Sequence, residues 1–220
     1  SFQFAGGALW IGDEFGPWLL HFDSAGRLLA PPIDLPDPRS RQTGDVLRSP
    51  EHPLVLSGAA VAGVRASRGI EGLAATADGR RLFAMLEGSL PGDPPDELRL
   101  FEFDLASGQF TRRSWRYRTD EPGLSVGEIA RSADAGLLAI ERDGRQGDAA
   151  RIKKIYRFTE PDAGTPDGAL LPKTLLVDLL AIQDPHHLGG LADERRSDRG
   201  TLFRYPWVTI ESVQALDAHT

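Results

Sequence analysis

The stretch Gly69-Ile70-Glu71-Gly72-Leu73-Ala74-Ala75-Thr76-Ala77-Asp78-Gly79-Arg80-Arg81-Leu82-Phe83-Ala84-Met85-Leu86-Glu87 reads as strand, tight turn, strand. Asp78-Gly79 sits between two apolar runs, and Asp-Gly there marks a hairpin because the turn needs positive φ. One Glu opens the first strand and a second closes the return strand. The pattern recurs at Gly127-Glu128-Ile129-Ala130-Arg131-Ser132-Ala133-Asp134-Ala135-Gly136-Leu137-Leu138-Ala139-Ile140-Glu141. A third copy opens at Thr209-Ile210-Glu211-Ser212-Val213-Gln214-Ala215-Leu216-Asp217. A half copy, Ala8-Leu9-Trp10-Ile11-Gly12-Asp13-Glu14, carries the return strand and closing acid but no opening strand. Internal repetition of this kind marks an architecture built from stacked units.

Outward from these copies, the chain reads as successive four-stranded meanders. Part of one unit spans 8–35. A second spans 71–118, with strands at 71–76, 82–87, 98–104 and 110–117. A third spans 126–179, with strands at 126–131, 137–141, 152–158 and 174–178, and a fourth begins at 207–220. In 98–104 apolar and charged residues alternate at period two, as in a half-buried strand. Residues 31–53 are rich in Pro, Asp, Arg and Ser and form a long irregular excursion. Residues 54–64 fit either a strand or a short helix. The expected fold is all-β: a β-propeller of four-stranded antiparallel blades forming one domain over 1–220. The missing strand before Ala8 and the stop within a repeat at Thr220 lead us to expect truncation at both ends. The ring would then hold about three to four blades, where closed propellers have about four to eight.

Composition narrows the function classes. The chain has 220 residues, 40% hydrophobic and 26% charged, with 24 Gly and 16 Pro, which favours many turns over long helices. No apolar run is long enough to span a bilayer. A net charge of −7 argues against nucleic acid as a partner. The absence of cysteine excludes disulfides, thiolate metal sites and a cysteine nucleophile. No serine nucleophile stands out: the Gly-x-Ser-x-Gly string at Gly123-Leu124-Ser125-Val126-Gly127 runs into the strand expected at 126–131 rather than into a strand-to-helix turn, so a serine triad has no support.

The order of several short motifs is recognisable. Trp10-Ile11-Gly12-Asp13-Glu14-Phe15-Gly16-Pro17-Trp18-Leu19-Leu20-His21-Phe22-Asp23 is followed by Leu47-Arg48-Ser49-Pro50-Glu51-His52-Pro53 and Gly69-Ile70-Glu71-Gly72-Leu73-Ala74. Then come Gly127-Glu128-Ile129, Glu141-Arg142-Asp143, Lys153-Lys154-Ile155-Tyr156-Arg157 and Thr209-Ile210-Glu211-Ser212-Val213. This order resembles the phytase-like domain family, described as "esterase-like activity of phytase" proteins. The resemblance implies a β-propeller, a bacterial protein that is periplasmic or extracellular, and phosphoester hydrolase activity.

In a propeller the first strand of each blade lines the central channel. Glu71, Glu128 and Glu211 each begin such a strand, so they should converge. Carboxylates brought together repel unless a cation sits among them, and Ca²⁺ takes about 6–8 oxygen ligands. The expected metal ligands are therefore Glu14, Glu71, Glu128 and Glu211. Glu71, Glu128 and Arg142 are the catalytic candidates, and Arg68, Arg142 and Lys153 the phosphate contacts. Asp13, Glu87 and Glu141 close second strands and read equally well as strand-end acids. The scattered histidines His21, His52, His186, His187 and His219 match no zinc spacing. Trp10, Trp18, Trp115 and Trp207 fit packing between blades, and 193–199 reads as a solvated loop. The substrate class is a small phosphoester or other anion, acted on by a monomer. The alternative is a non-catalytic propeller that binds a small anion, glycan or protein through its loops at 88–97 and 142–148. Lactone hydrolysis on the same ring is disfavoured, because such sites use Asn and the chain has none.

Overall fold

The computed structural model describes all residues except 43, 135, 187, 189–199, 204 and 218–220. His187, His219 and the charged run 193–199 therefore lie outside the described residues. Among the described residues, twelve strands form three four-stranded antiparallel sheets, each in simple sequential order. The first holds β1 (Phe2–Ala5), β2 (Ala8–Gly12), β3 (Trp18–Phe22) and β4 (Ile33–Asp34). The second holds β5 (Ile70–Ala75), β6 (Arg81–Leu86), β7 (Glu97–Asp104) and β8 (Gln109–Arg118). The third holds β9 (Ser125–Arg131), β10 (Leu137–Arg142), β11 (Lys153–Phe158) and β12 (Lys173–Asp178).

Local chemistry explains the hairpins. At the β5–β6 turn Gly79 takes φ 65°. Asp78 accepts from the Thr76 hydroxyl at 2.6 Å and from the Arg80 N–H at 3.0 Å, closing the turn from the side. The β9–β10 turn repeats the device with Ser132, Asp134 and Gly136, whose φ is 84°.

Three expectations change. A strand, β1, does stand before Ala8, and it pairs with β2 through the tight turn at Gly6-Gly7, both at positive φ. Four residues were too few to announce it. In the unit expected over 8–35 the last strand is only Ile33–Asp34, with one bridge between Phe22 and Leu28 before it. Pro31 and Pro32 have no N–H to give to a ladder. The strand expected from Trp207 is not formed, because no described segment pairs with 207–217. Within 54–64 the chain makes the short helix α1 (Pro53–Leu56), capped by the His52 ring, which accepts from the Leu54 N–H at 3.0 Å.

The second sheet is covered on both faces, which explains the unbroken apolar run in β6. Leu82, Ala84 and Leu86 face a core with Trp10, Leu19, Leu35, Leu47 and Phe101. Phe83 and Met85 face a second core with Trp115, Tyr117, Val126, Leu137 and Phe158. Alternate residues of one strand thus serve two interfaces. The tryptophans divide: Trp10 and Trp115 are buried, Trp18 donates to Asp34 at 2.9 Å, and Trp207 is 58% exposed. The first strands lie side by side, β5 next to both β1 and β9. Gly72 permits this approach, since a Cβ there would stand 2.7 Å from the Ile129 nitrogen. No described helix is long and apolar enough to cross a membrane.

Candidate functional site

The acids that meet are Glu14, Glu71 and Glu87, each of which offers one carboxylate oxygen within 4.8 Å of those of the other two. Each comes from a different position near one end of the sheets. Glu14 lies in the β2–β3 connection. The Ser67 hydroxyl donates to it, from a backbone held at φ 52°. Gly69 lets the chain pass against Glu14, because a Cβ there would fall 2.1 Å from the Glu14 carbonyl oxygen. Glu71 is the extra residue of a β-bulge: Ile70 pairs with Leu86, and Gly72 with Met85. Bulges re-aim side chains in this way. Glu87 follows β6. Its N–H donates to Gly69 at 3.0 Å, and its carbonyl accepts from the Val126 N–H at 3.2 Å, tying the second sheet to the third. Asp13 is a turn residue, accepting from the N–H groups of Phe15 and Gly16.

Two guanidinium groups flank the acids. Arg68 lies 3.0 Å from Glu87 and also donates to the Ser125 hydroxyl. Arg142 is buried and lies 3.3 Å from both Glu87 and Glu211. The Arg142 Nε–H has no partner among the described residues, and a buried unpaired donor calls for an explanation. Burial, then the charges of Glu87 and Glu14, push the Glu71 carboxyl up to about 7. Burial also raises Glu87, against the lowering effect of Arg68.

The expected set is therefore met in part. Glu128 does not join the cluster. The third sheet's bulge falls one residue earlier, with Val126 opposite Glu141 and Glu128 opposite Ile140, so Gly127 is the extra residue. Gly127 thus occupies the place of Glu71, and a one-residue slip turns a side chain to the other face. Glu128 instead lines a cleft of about 470 Å³ with Phe2, Phe4, Leu73 and Val213. Its carboxylate accepts from the Ile129 N–H at 2.9 Å, and burial pushes it up to about 7.

Glu211 meets the cluster's edge through its ion pair with Arg142. Its segment is anchored beside β9. Tyr205 accepts from the Gly147 N–H at 2.7 Å, and a Cβ on Gly127 would fall 2.2 Å from the Ile210 oxygen.

Lys153 is not a phosphate contact. It is fully buried and donates to the Asp143 carbonyl at 2.7 Å, to the Asp143 carboxylate at 2.9 Å and to Val208 at 2.6 Å. Those bonds use all three ammonium protons.

Glu141, which precedes Arg142 on β10, turns away from the cluster that Arg142 flanks. It accepts from the Tyr117 hydroxyl at 2.6 Å, from the Asp120 N–H at 2.9 Å and from Lys173. It locks the second sheet to the third. Sequence reasoning missed Ser67. The only trace of it was its place two residues before the Gly69-Ile70-Glu71 motif.

The donor set suits a hard cation. Three carboxylates lie within reach of one ion, and the neutralising arginines contact Glu87 but not Glu14 or Glu71.

The chain is 26% identical over 198 residues to an uncharacterized secreted protein of Arthroderma benhamiae, a match covering 70% of this chain. It covers 36% of that relative, so the chain spans about a third of the protein it matches. The model of the phytase-like family, "esterase-like activity of phytase", matches residues 1–212. The chain belongs to the phytase-like family, whose description points to a hydrolase-type function.

Proposed function

We propose that the three sheets are consecutive blades of a β-propeller in a secreted phosphoester hydrolase, with Glu14, Glu71 and Glu87 as ligands of a divalent cation, calcium by donor chemistry. The observation that carries this reading is the meeting of three carboxylates within 4.8 Å beside two guanidinium groups. The adjacency of β5 to β1 and β9 supports the propeller. The name of the Arthroderma relative supports secretion.

A bound cation would neutralise the carboxylates and supply positive charge opposite phosphate oxygens. The chain's own residues do the rest. Arg142, with an unpaired Nε–H, and Arg68 bind and orient the anion by charge-assisted hydrogen bonds. Glu71, whose carboxyl burial and the charges of Glu87 and Glu14 push up to about 7, would be held ionised by a cation in the cluster. Ser67 fixes Glu14, and Gly69 leaves room for it.

The test is turnover of aryl phosphate monoesters and diesters with and without chelator. The reading expects chelator-sensitive hydrolysis that falls at least about a hundredfold in Glu71→Gln and Arg142→Ala. Absence of turnover at any metal concentration, with anion binding intact, would replace it with the non-catalytic binding reading.

A further inference from the structure

A second cleft lies beside the acidic cluster and carries the opposite charge. It has a volume of about 250 Å³ and is lined by Arg65, Arg68, Gly88, Ser89, Pro95, Gly123 and Leu124, with no acid among them. Arg68 forms the partition between the two, since the same guanidinium that meets Glu87 lines this cleft. Arg65 is exposed, and neither its guanidinium nor the Ser89 hydroxyl has a partner among the described residues. Gly88 keeps the space open, because a Cβ there would stand 2.8 Å from Arg68 Cδ. Substitution at Gly88 would drive the Arg68 side chain from its place.

We propose that this cleft is a tetrahedral-oxyanion subsite, with Arg65, Arg68 and Ser89 as its ligands. Two guanidinium groups and a hydroxyl around a pocket of this size match the charge and hydrogen-bond acceptors of a phosphate group. Arg68 is paired with Glu87, whereas Arg65 brings a positive charge with no carboxylate partner among the described residues, which an anion in the cleft would neutralise. An oxyanion held here lies next to the cluster of Glu14, Glu71 and Glu87. The phosphate group is then presented to the acids by residues that need no metal. This deepens the proposed hydrolase reading and rests on it for the identity of the anion as a substrate group. The binding itself stands apart from catalysis.

The experiment is titration of the protein with inorganic phosphate in excess chelator, followed by ³¹P line broadening and calorimetry. Wild type is compared with Arg65→Ala, Ser89→Ala and Gly88→Ala, with sulfate as a second probe. Calcium titration of the same variants is run in parallel. Arg65 is exposed, so its truncation leaves the core untouched. The proposal expects saturable phosphate binding without metal, weakened about tenfold or more by Arg65→Ala and weakened also by Gly88→Ala, with calcium binding unchanged by Arg65→Ala. Competition by sulfate at similar concentration marks a general oxyanion site, and weaker sulfate binding marks selectivity for the protonatable phosphate. Both agree with the proposal. No saturable phosphate binding in wild type, or equal binding in Arg65→Ala and Ser89→Ala, would overturn it. Loss of calcium binding in every protein with phosphate binding intact would instead count against the metal-dependent reading alone.

Discussion

The Arg142 guanidinium stands 3.3 Å from a carboxylate oxygen of Glu87, so a residue of β10 supports an acid that follows β6. The third sheet thus holds an element of the second in place at the acidic cluster. Removing the guanidinium leaves Glu87 buried with Arg68 as its remaining ion-pair partner. Arg142→Ala should cost about 2 kcal/mol, below the usual 3–5 for an orphaned buried charge because one pair survives. Arg142→Lys should recover part of the loss, since Glu87 and Glu211 meet the same guanidinium nitrogen, Nη2, and an ammonium can donate to both. Urea unfolding of the three proteins measures both effects.

Glu128 predicts a pH dependence. Its folded carboxyl titrates at about 7, above the ordinary 4.5, because burial disfavours its charge. Between those values the folded state binds more protons than the unfolded one, so stability falls as pH rises through this window. Its contribution is at its most favourable below 4.5 and lost above 7. Glu128→Gln should flatten the curve there and make the protein more stable than wild type at pH 8. Thermal unfolding from pH 4 to 8 reads the outcome.

The lock between the second and third sheets sits at Glu141. Tyr117→Phe removes one hydrogen bond to a fully buried carboxylate and should cost about 2 kcal/mol. Lys173→Met removes the countercharge that Glu141 shares with Asp120 and should cost more, about 3 kcal/mol. The Lys173 ammonium also lies 3.9 Å from the Tyr156 ring centroid, a contact that is lost with it. Denaturant midpoints with unchanged slopes would identify these as stability effects.

Much of this fold was legible because local rules agreed. Asp78-Gly79 fixed a hairpin, and period-two patterns brought every strand of the second and third sheets within one residue of its expected ends. The site was less legible, and the reason is specific. Glu71 and Glu128 look equivalent when the repeats are aligned on their acids. A bulge at Glu71 in one sheet and at Gly127 in the other shifts the register by one residue and separates them. Bulge position depends on cross-strand packing, which no single repeat reveals. Lys153 looked like an exposed cation in a basic run, yet its burial depends on Val208, 55 residues away in sequence. Glu87 read as a strand end, and only Arg68 and Arg142, from other elements, make it part of a site.

The most direct test of the central claim is calcium titration by calorimetry on wild type, Glu71→Gln, Glu87→Gln and Glu128→Gln. If Glu14, Glu71 and Glu87 form the cation site, wild type and Glu128→Gln bind calcium alike, while Glu71→Gln and Glu87→Gln lose at least about tenfold in affinity. No binding by wild type, or a loss in Glu128→Gln equal to that in Glu71→Gln, would contradict it.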